Sequence, residues 1–191
     1  MSHSKRHSLP DLRLVAALML AALVGTNIGV ARSSVEIIPS MGVTKSTDDN
    51  AGDAQGFGGL AIRFPLASFL KAEGGIGYRQ DSFSSGDLKV RQWPITASLW
   101  ASPFKNLYAG GGLGWYRTSY SYGGALAAFN DETTQDLGIH LGGGATLPMN
   151  SNLGLDLNGR YIFMQENNDL QIPTTFNPGF WQLAAGLAIK F

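Results

Sequence analysis

The chain has 191 residues and equal numbers of basic and acidic side chains, 14 of each, so it carries no net charge and no basic footprint for nucleic acid. Cysteine is absent, which excludes a disulfide framework, a thiol nucleophile and a thiolate-held metal. The 25 glycines and the 10% aromatic content suit a secreted all-β chain of one domain.

The first element is a leader. Lys5, Arg6 and Arg13 form a basic start, Leu14 to Val24 is an uncharged apolar run, and Gly29-Val30-Ala31 supplies small residues for cleavage. This pattern predicts a secretory signal peptide over 1–31 and a single barrel domain over 32–191. The apolar run falls short of the roughly 20 residues of a membrane-spanning helix. Removing the leader also removes His3, His7 and Asp11, leaving a slightly acidic remainder with His140 as its histidine.

Beyond the leader, alternation of apolar and polar residues predicts strands at 34–45, 56–64, 69–80, 88–101, 107–119, 136–147, 152–164 and 180–191. Turns carrying Pro or Asn are expected at 64–68, 102–106 and 148–151. Longer polar loops are expected at 46–55, 81–87, 120–135 and 165–179. Short turns at one end and long loops at the other are the rhythm of an antiparallel up-and-down barrel in an outer membrane, its loops facing outside the cell. The last strand shows the pattern best. Trp181, Leu183, Ala185, Leu187, Ile189 and Phe191 form one stripe, bounded by aromatic residues, while the alternate positions are small or polar.

A soluble lipocalin-like carrier shares such alternation, so the second face decides between them. On 107–119 that face reads Tyr108, Gly110, Gly112, Gly114, Tyr116 and Thr118. On 136–147 it reads Asp136, Gly138, His140, Gly142, Gly144 and Thr146. Glycines on a solvated outer face would weaken the strands, whereas small residues fit the interior of an eight-stranded barrel. The apolar set, from Ile37 and Leu60 through Trp93, Leu113, Leu141 and Phe163, then faces lipid. Arg91 and Arg117 share its parity near the loop-side rim, where lipid phosphate is a natural neighbour.

Pro94-Ile95-Thr96-Ala97-Ser98-Leu99, a Pro-containing turn, and then Leu107-Tyr108-Ala109-Gly110-Gly111-Gly112-Leu113-Gly114-Trp115-Tyr116 resemble the middle hairpin of the outer-membrane β-barrel family. That family includes small eight-stranded barrels such as outer-membrane protein X and the Ail adhesins, and more distantly outer-membrane proteins A and W. The resemblance implies an all-β, eight-stranded fold and an outer-membrane location. It implies no single function.

Inward parity collects Glu36, Arg63, Lys71, Glu73, Arg79, Asp156, Arg160 and Lys190. Lone buried charges are expensive, so these are expected to pair into a network plugging the lumen; a narrow gated pore is the alternative use. His140 is the candidate base, but the His-x-Ser pattern of barrel-borne lipid A deacylases is missing, and it reads as an interior residue. Gly56-Phe57-Gly58-Gly59-Leu60-Ala61 fits a loose dinucleotide fingerprint with no helix to follow it, and Gly110 to Gly114 lacks a P-loop lysine. No catalytic residue, cofactor or metal site is therefore expected. The expected partners are outer-membrane lipid, including lipopolysaccharide, and an extracellular protein engaged by a monomeric barrel through its loops. Tyr120, Tyr122, Leu126, Phe129, Ile172 and Phe176 are the candidate contact residues.

Overall fold

The computed structural model describes residues 34–47, 53–83, 88–122, 132–164 and 179–191. Among them run eight strands: β1 (Glu36–Ser46), β2 (Gln55–Ala67), β3 (Leu70–Phe83), β4 (Leu88–Phe104), β5 (Leu107–Tyr122), β6 (Glu132–Pro148), β7 (Leu153–Met164) and β8 (Phe180–Lys190). Each pairs antiparallel with its sequence neighbours, and β1 pairs with β8 from Glu36↔Lys190 to Ser46↔Phe180, closing the barrel. Closure leaves no open sheet edge, which is what a sheet needs in a solvent without hydrogen-bond partners. The expected leader, 1–31, lies outside the described residues.

The strands outrun their expected ends, chiefly on the loop side. β3 continues to Phe83, β5 to Tyr122, and β6 begins at Glu132, so parts of the expected loops 81–87 and 120–135 are barrel wall. On the other side β2 carries Pro65 as far as Ala67, with a register shift between those two residues. A bulge is one of the few places where a strand accepts a residue lacking its N–H. The tight turns therefore contract to Ser68-Phe69 and Lys105-Asn106.

The faces divide as their parity predicts. Leu60, Ile76, Trp93, Leu99, Leu113, Leu137, Ile139, Leu141, Leu157, Phe163, Leu183 and Leu187 are exposed on the outside, Leu137 by as much as 68%. Tyr78 and Trp93 stack at 4.7 Å towards the loop end, and Tyr161 and Phe163 at 4.5 Å, placing paired aromatic rings in the outer belt. The inside is polar and filled. Glu36, Arg63, Glu73, Arg79, His140 and Asp156 are buried there, together with Trp100, Tyr108, Tyr116, Ile162 and Phe180. This is the inverse of a carrier barrel, whose apolar cavity would receive a ligand.

Candidate functional site

Arg63 of β2 organises the turn-side half of the lumen. Its Nε and Nη2 donate to Glu73 Oε2 at 2.9 and 2.7 Å, and its Nη1 donates to Asp156 Oδ2 at 3.0 Å. The same Nη1 lies 3.8 Å from Glu36 Oε2. Lys71 Nζ donates to Glu36 Oε1 at 3.0 Å, and Arg160 Nη2 donates to Glu73 Oε1 at 2.7 Å. The pairing follows from register: Glu36 faces Arg63 across β1 and β2, and Arg63 faces Glu73 across β2 and β3. Three cations meet three carboxylates, the neutrality that a low-dielectric interior demands.

Neutral groups complete the cluster. Asp156 accepts from Tyr108 Oη and Thr146 Oγ1, both at 2.8 Å, while Asn158 Nδ2 donates to Tyr108 Oη at 3.1 Å. The guanidinium groups also cover aromatic faces, Arg63 lying 4.5 Å above Tyr108 and Arg160 5.0 Å above Trp100.

Two of the eight expected members stand apart. Arg79 occupies the loop-side half, 3.6 Å above the Phe180 ring, which in turn meets Tyr116 edge-on at 6.2 Å. Lys190 sits at the turn-side mouth, where its N–H donates to the Asn152 carbonyl at 2.8 Å, and it makes no ion pair among the described residues. Parity assigns these eight charges to one face. It could not order them along the barrel axis.

His140 is not solitary. Its Nε2 lies 2.8 Å from Ser98 Oγ, and the two share a hydrogen bond whose donor depends on the imidazole tautomer. They come from β6 and β4, two strands apart, and Gly112 of β5 lies between them in register. A β-carbon on Gly112 would strike the Ala97 carbonyl. Glycine here lets the flanking side chains close over an intervening strand. A second row repeats the device: Trp100 and Arg160 meet across Gly110 and Gly142. Ser98 was missed from the sequence because no local spacing links it to His140.

The pair lacks the rest of a hydrolytic centre. His140 Nδ1 finds no hydrogen-bond partner among the described residues, so no carboxylate orients the ring. The imidazole is fully buried, beside Trp100. The lumen holds a chamber of about 60 Å³ lined in part by Arg63, Glu73, Arg79, Tyr116, His140 and Arg160. That suffices for a few waters and not for a lipid chain. No metal-holding cluster of histidine and carboxylate groups occurs among the described residues.

Of the candidate contact residues, Tyr120 requires correction. It belongs to β5 and is only 2% exposed, because the strand continues and inward parity carries the ring into the barrel. Tyr122 is the last residue of β5. Leu126, Phe129, Ile172 and Phe176 lie outside the described residues.

A closed antiparallel barrel, apolar outside and plugged by paired charge inside, defines a small membrane-spanning β-barrel. The chain belongs to the outer membrane protein beta-barrel domain family, whose model matches residues 14–191. No curated protein sequence matches it. Among solved structures it is similar to Neisserial surface protein A (TM-score 0.62, 18% identity, covering 83% of this chain and 98% of that one). It also resembles Ail, the attachment invasion locus protein of Yersinia pestis (0.56, 13% identity, 84% and 100%). A third likeness is to OprG from Pseudomonas aeruginosa (0.54, 15% identity, 86% and 99%). At these identities the likeness is one of fold.

Proposed function

We propose that this barrel acts through what it presents outside the membrane and to the surrounding lipid, its lumen serving as a fixed plug. The observation that carries the reading is the neutral cluster of Glu36, Arg63, Lys71, Glu73, Asp156 and Arg160. Every polar contact made there holds the wall together, so function is left to the loops and the rim. On this reading residues 1–31 are a cleaved export signal, the mature barrel is a monomer in the bacterial outer membrane, and it is not an enzyme. The Ser98–His140 pair then packs the interior. Lipopolysaccharide and an extracellular protein are the partners. Tyr122, Leu126, Phe129, Ile172 and Phe176 are the contact residues. One structural neighbour, Ail, has been crystallised in complex with the heparin analogue sucrose octasulfate.

Deletion of 124–130, between β5 and β6, tests this directly. Binding to host cells or matrix should be lost while the barrel still folds, as judged by the different gel mobility of boiled and unboiled samples. Unaltered binding after removal of both this segment and 166–176 would sink the loop reading. The chamber beside Arg160 favours a second use, a narrow gated path along the same charges. Single-channel recording separates the two: a path predicts conductance whose ion selectivity changes in Arg160→Ala or Glu73→Ala, whereas a plug predicts a silent wild type.

A further inference from the structure

Charge on the outward face of the described strands is of one sign. The described strand carboxylates, Glu36, Glu73, Asp81, Glu132, Asp136 and Asp156, all occupy inward parity together with five cations, whereas Lys45, Lys89, Arg91 and Arg117 occupy outward parity and are exposed. The four cations share the loop-side end, and three of them lie on the adjacent strands β4 and β5. Register places Trp93 opposite Arg117 and Arg91 opposite Ser119, making Arg91 and Arg117 diagonal neighbours about 7–8 Å apart. Lys89 lies two residues further along β4, about 7 Å away.

We propose that Lys89, Arg91 and Arg117 form a binding site for the phosphate groups of an outer-leaflet lipid. None of the three makes an ion pair among the described residues, and their mutual repulsion favours an anion bound between them. Depth identifies its source. Tyr78, Trp93 and Trp115 lie immediately towards the turn side on the same outer face, and aromatic side chains of this kind sit at the level of lipid head groups. Cations one step above them are at the height of phosphate. Two guanidinium groups can each grip a phosphate through paired N–H donors, which a lysine cannot do. Gln80 opposite Arg91 and Gln135 opposite Arg117 add neutral amide donors from β3 and β6. Among the described residues the far side of the barrel offers a single outward cation, Lys45, beside Trp181. The site therefore faces one direction in the plane of the membrane.

This inference rests on the outer-membrane reading and deepens its lipid partner. The test reconstitutes the full-length mature protein in zwitterionic vesicles and titrates it with lipopolysaccharide, with its enzymatically dephosphorylated form, and with inorganic phosphate. Bound lipid is counted by native mass spectrometry after detergent extraction. The variants are Lys89→Gln/Arg91→Gln/Arg117→Gln, its lysine-preserving relative Arg91→Lys/Arg117→Lys, and Lys45→Gln as the control. The expected result is a loss of affinity of at least about tenfold in the triple variant, a smaller loss in the double-lysine variant and none in Lys45→Gln. Dephosphorylated lipid should bind all variants equally weakly, and millimolar inorganic phosphate should not compete. Wild-type affinity in the triple variant, or equal binding of the dephosphorylated form to the wild type, would overturn the site while leaving the membrane reading intact. Failure of the folded wild type to insert into vesicles would overturn both.

Discussion

Arg63 and Gly112 do opposite things for the same interior. Arg63 pairs with Glu36, Glu73 and Asp156 together, so its removal leaves Asp156 without a cation among the described residues and leaves Glu36 to Lys71 and Glu73 to Arg160. Arg63→Ala should destabilise the folded barrel by about 3–5 kcal/mol in urea unfolding from detergent. Arg63→Ala combined with Glu73→Ala should lose less than the sum of the two single changes, because each removes part of the other's penalty. Strict additivity would show that the cluster does not act as a unit. Gly112 contributes by having no side chain. Gly112→Val drives a branched group against the Ala97 carbonyl and into the space where Ser98 meets His140. It should lower folding yield and stability by about 1–3 kcal/mol, the usual range for overpacking a dense interior. His140→Ala leaves a cavity and an orphaned serine, and should destabilise the barrel without altering any lipid-modifying phenotype.

At the scale of the strand, depth in the membrane sets the effect of a charge. Leu141 lies near the middle of β6 on the exposed outer face, and Gln135 lies on the same face close to its loop end. Leu141→Arg should cost about 2–4 kcal/mol and Gln135→Arg about 0–1 kcal/mol, measured by reversible folding into lipid vesicles. Equal penalties would argue against a bilayer around the belt. The strands were legible in the sequence because their period of two is written residue by residue. Their loop-side ends were less so. Past Trp115 the outward positions of β5 turn polar, as a strand leaving the apolar layer must, and polarity alone reads as a loop. Tyr120 shows the consequence: hydrogen bonding to β6 through the Tyr120↔Glu132 pair extends the wall beyond the point where hydrophobic alternation ends.

For the whole molecule, closure is the property that matters. With β1 zipped to β8, no strand can detach without breaking two ladders. The unboiled protein should therefore keep a compact, faster-migrating form in detergent gels, and boiling should convert it to the extended form. Identical mobility would contradict a closed barrel. The same closure confines the plug: a chamber of about 60 Å³ lies beside the paired guanidinium and carboxylate groups.

The number of strands, the two faces along their central stretches and the membrane as the medium that the apolar face requires are all legible in the residue pattern. These are local properties, fixed by the two-residue repeat of an extended chain and by the sorting of apolar from polar side chains. Which inward residues meet is a matter of the folded barrel. Ser98 and His140 are separated by 42 positions and by a whole strand in space, and Arg63 and Asp156 by 93 positions. Their contacts depend on the register of every hairpin between them and on glycines that let side chains reach across. Register is settled by all the strand pairs together once the barrel closes, and no single stretch of sequence carries it.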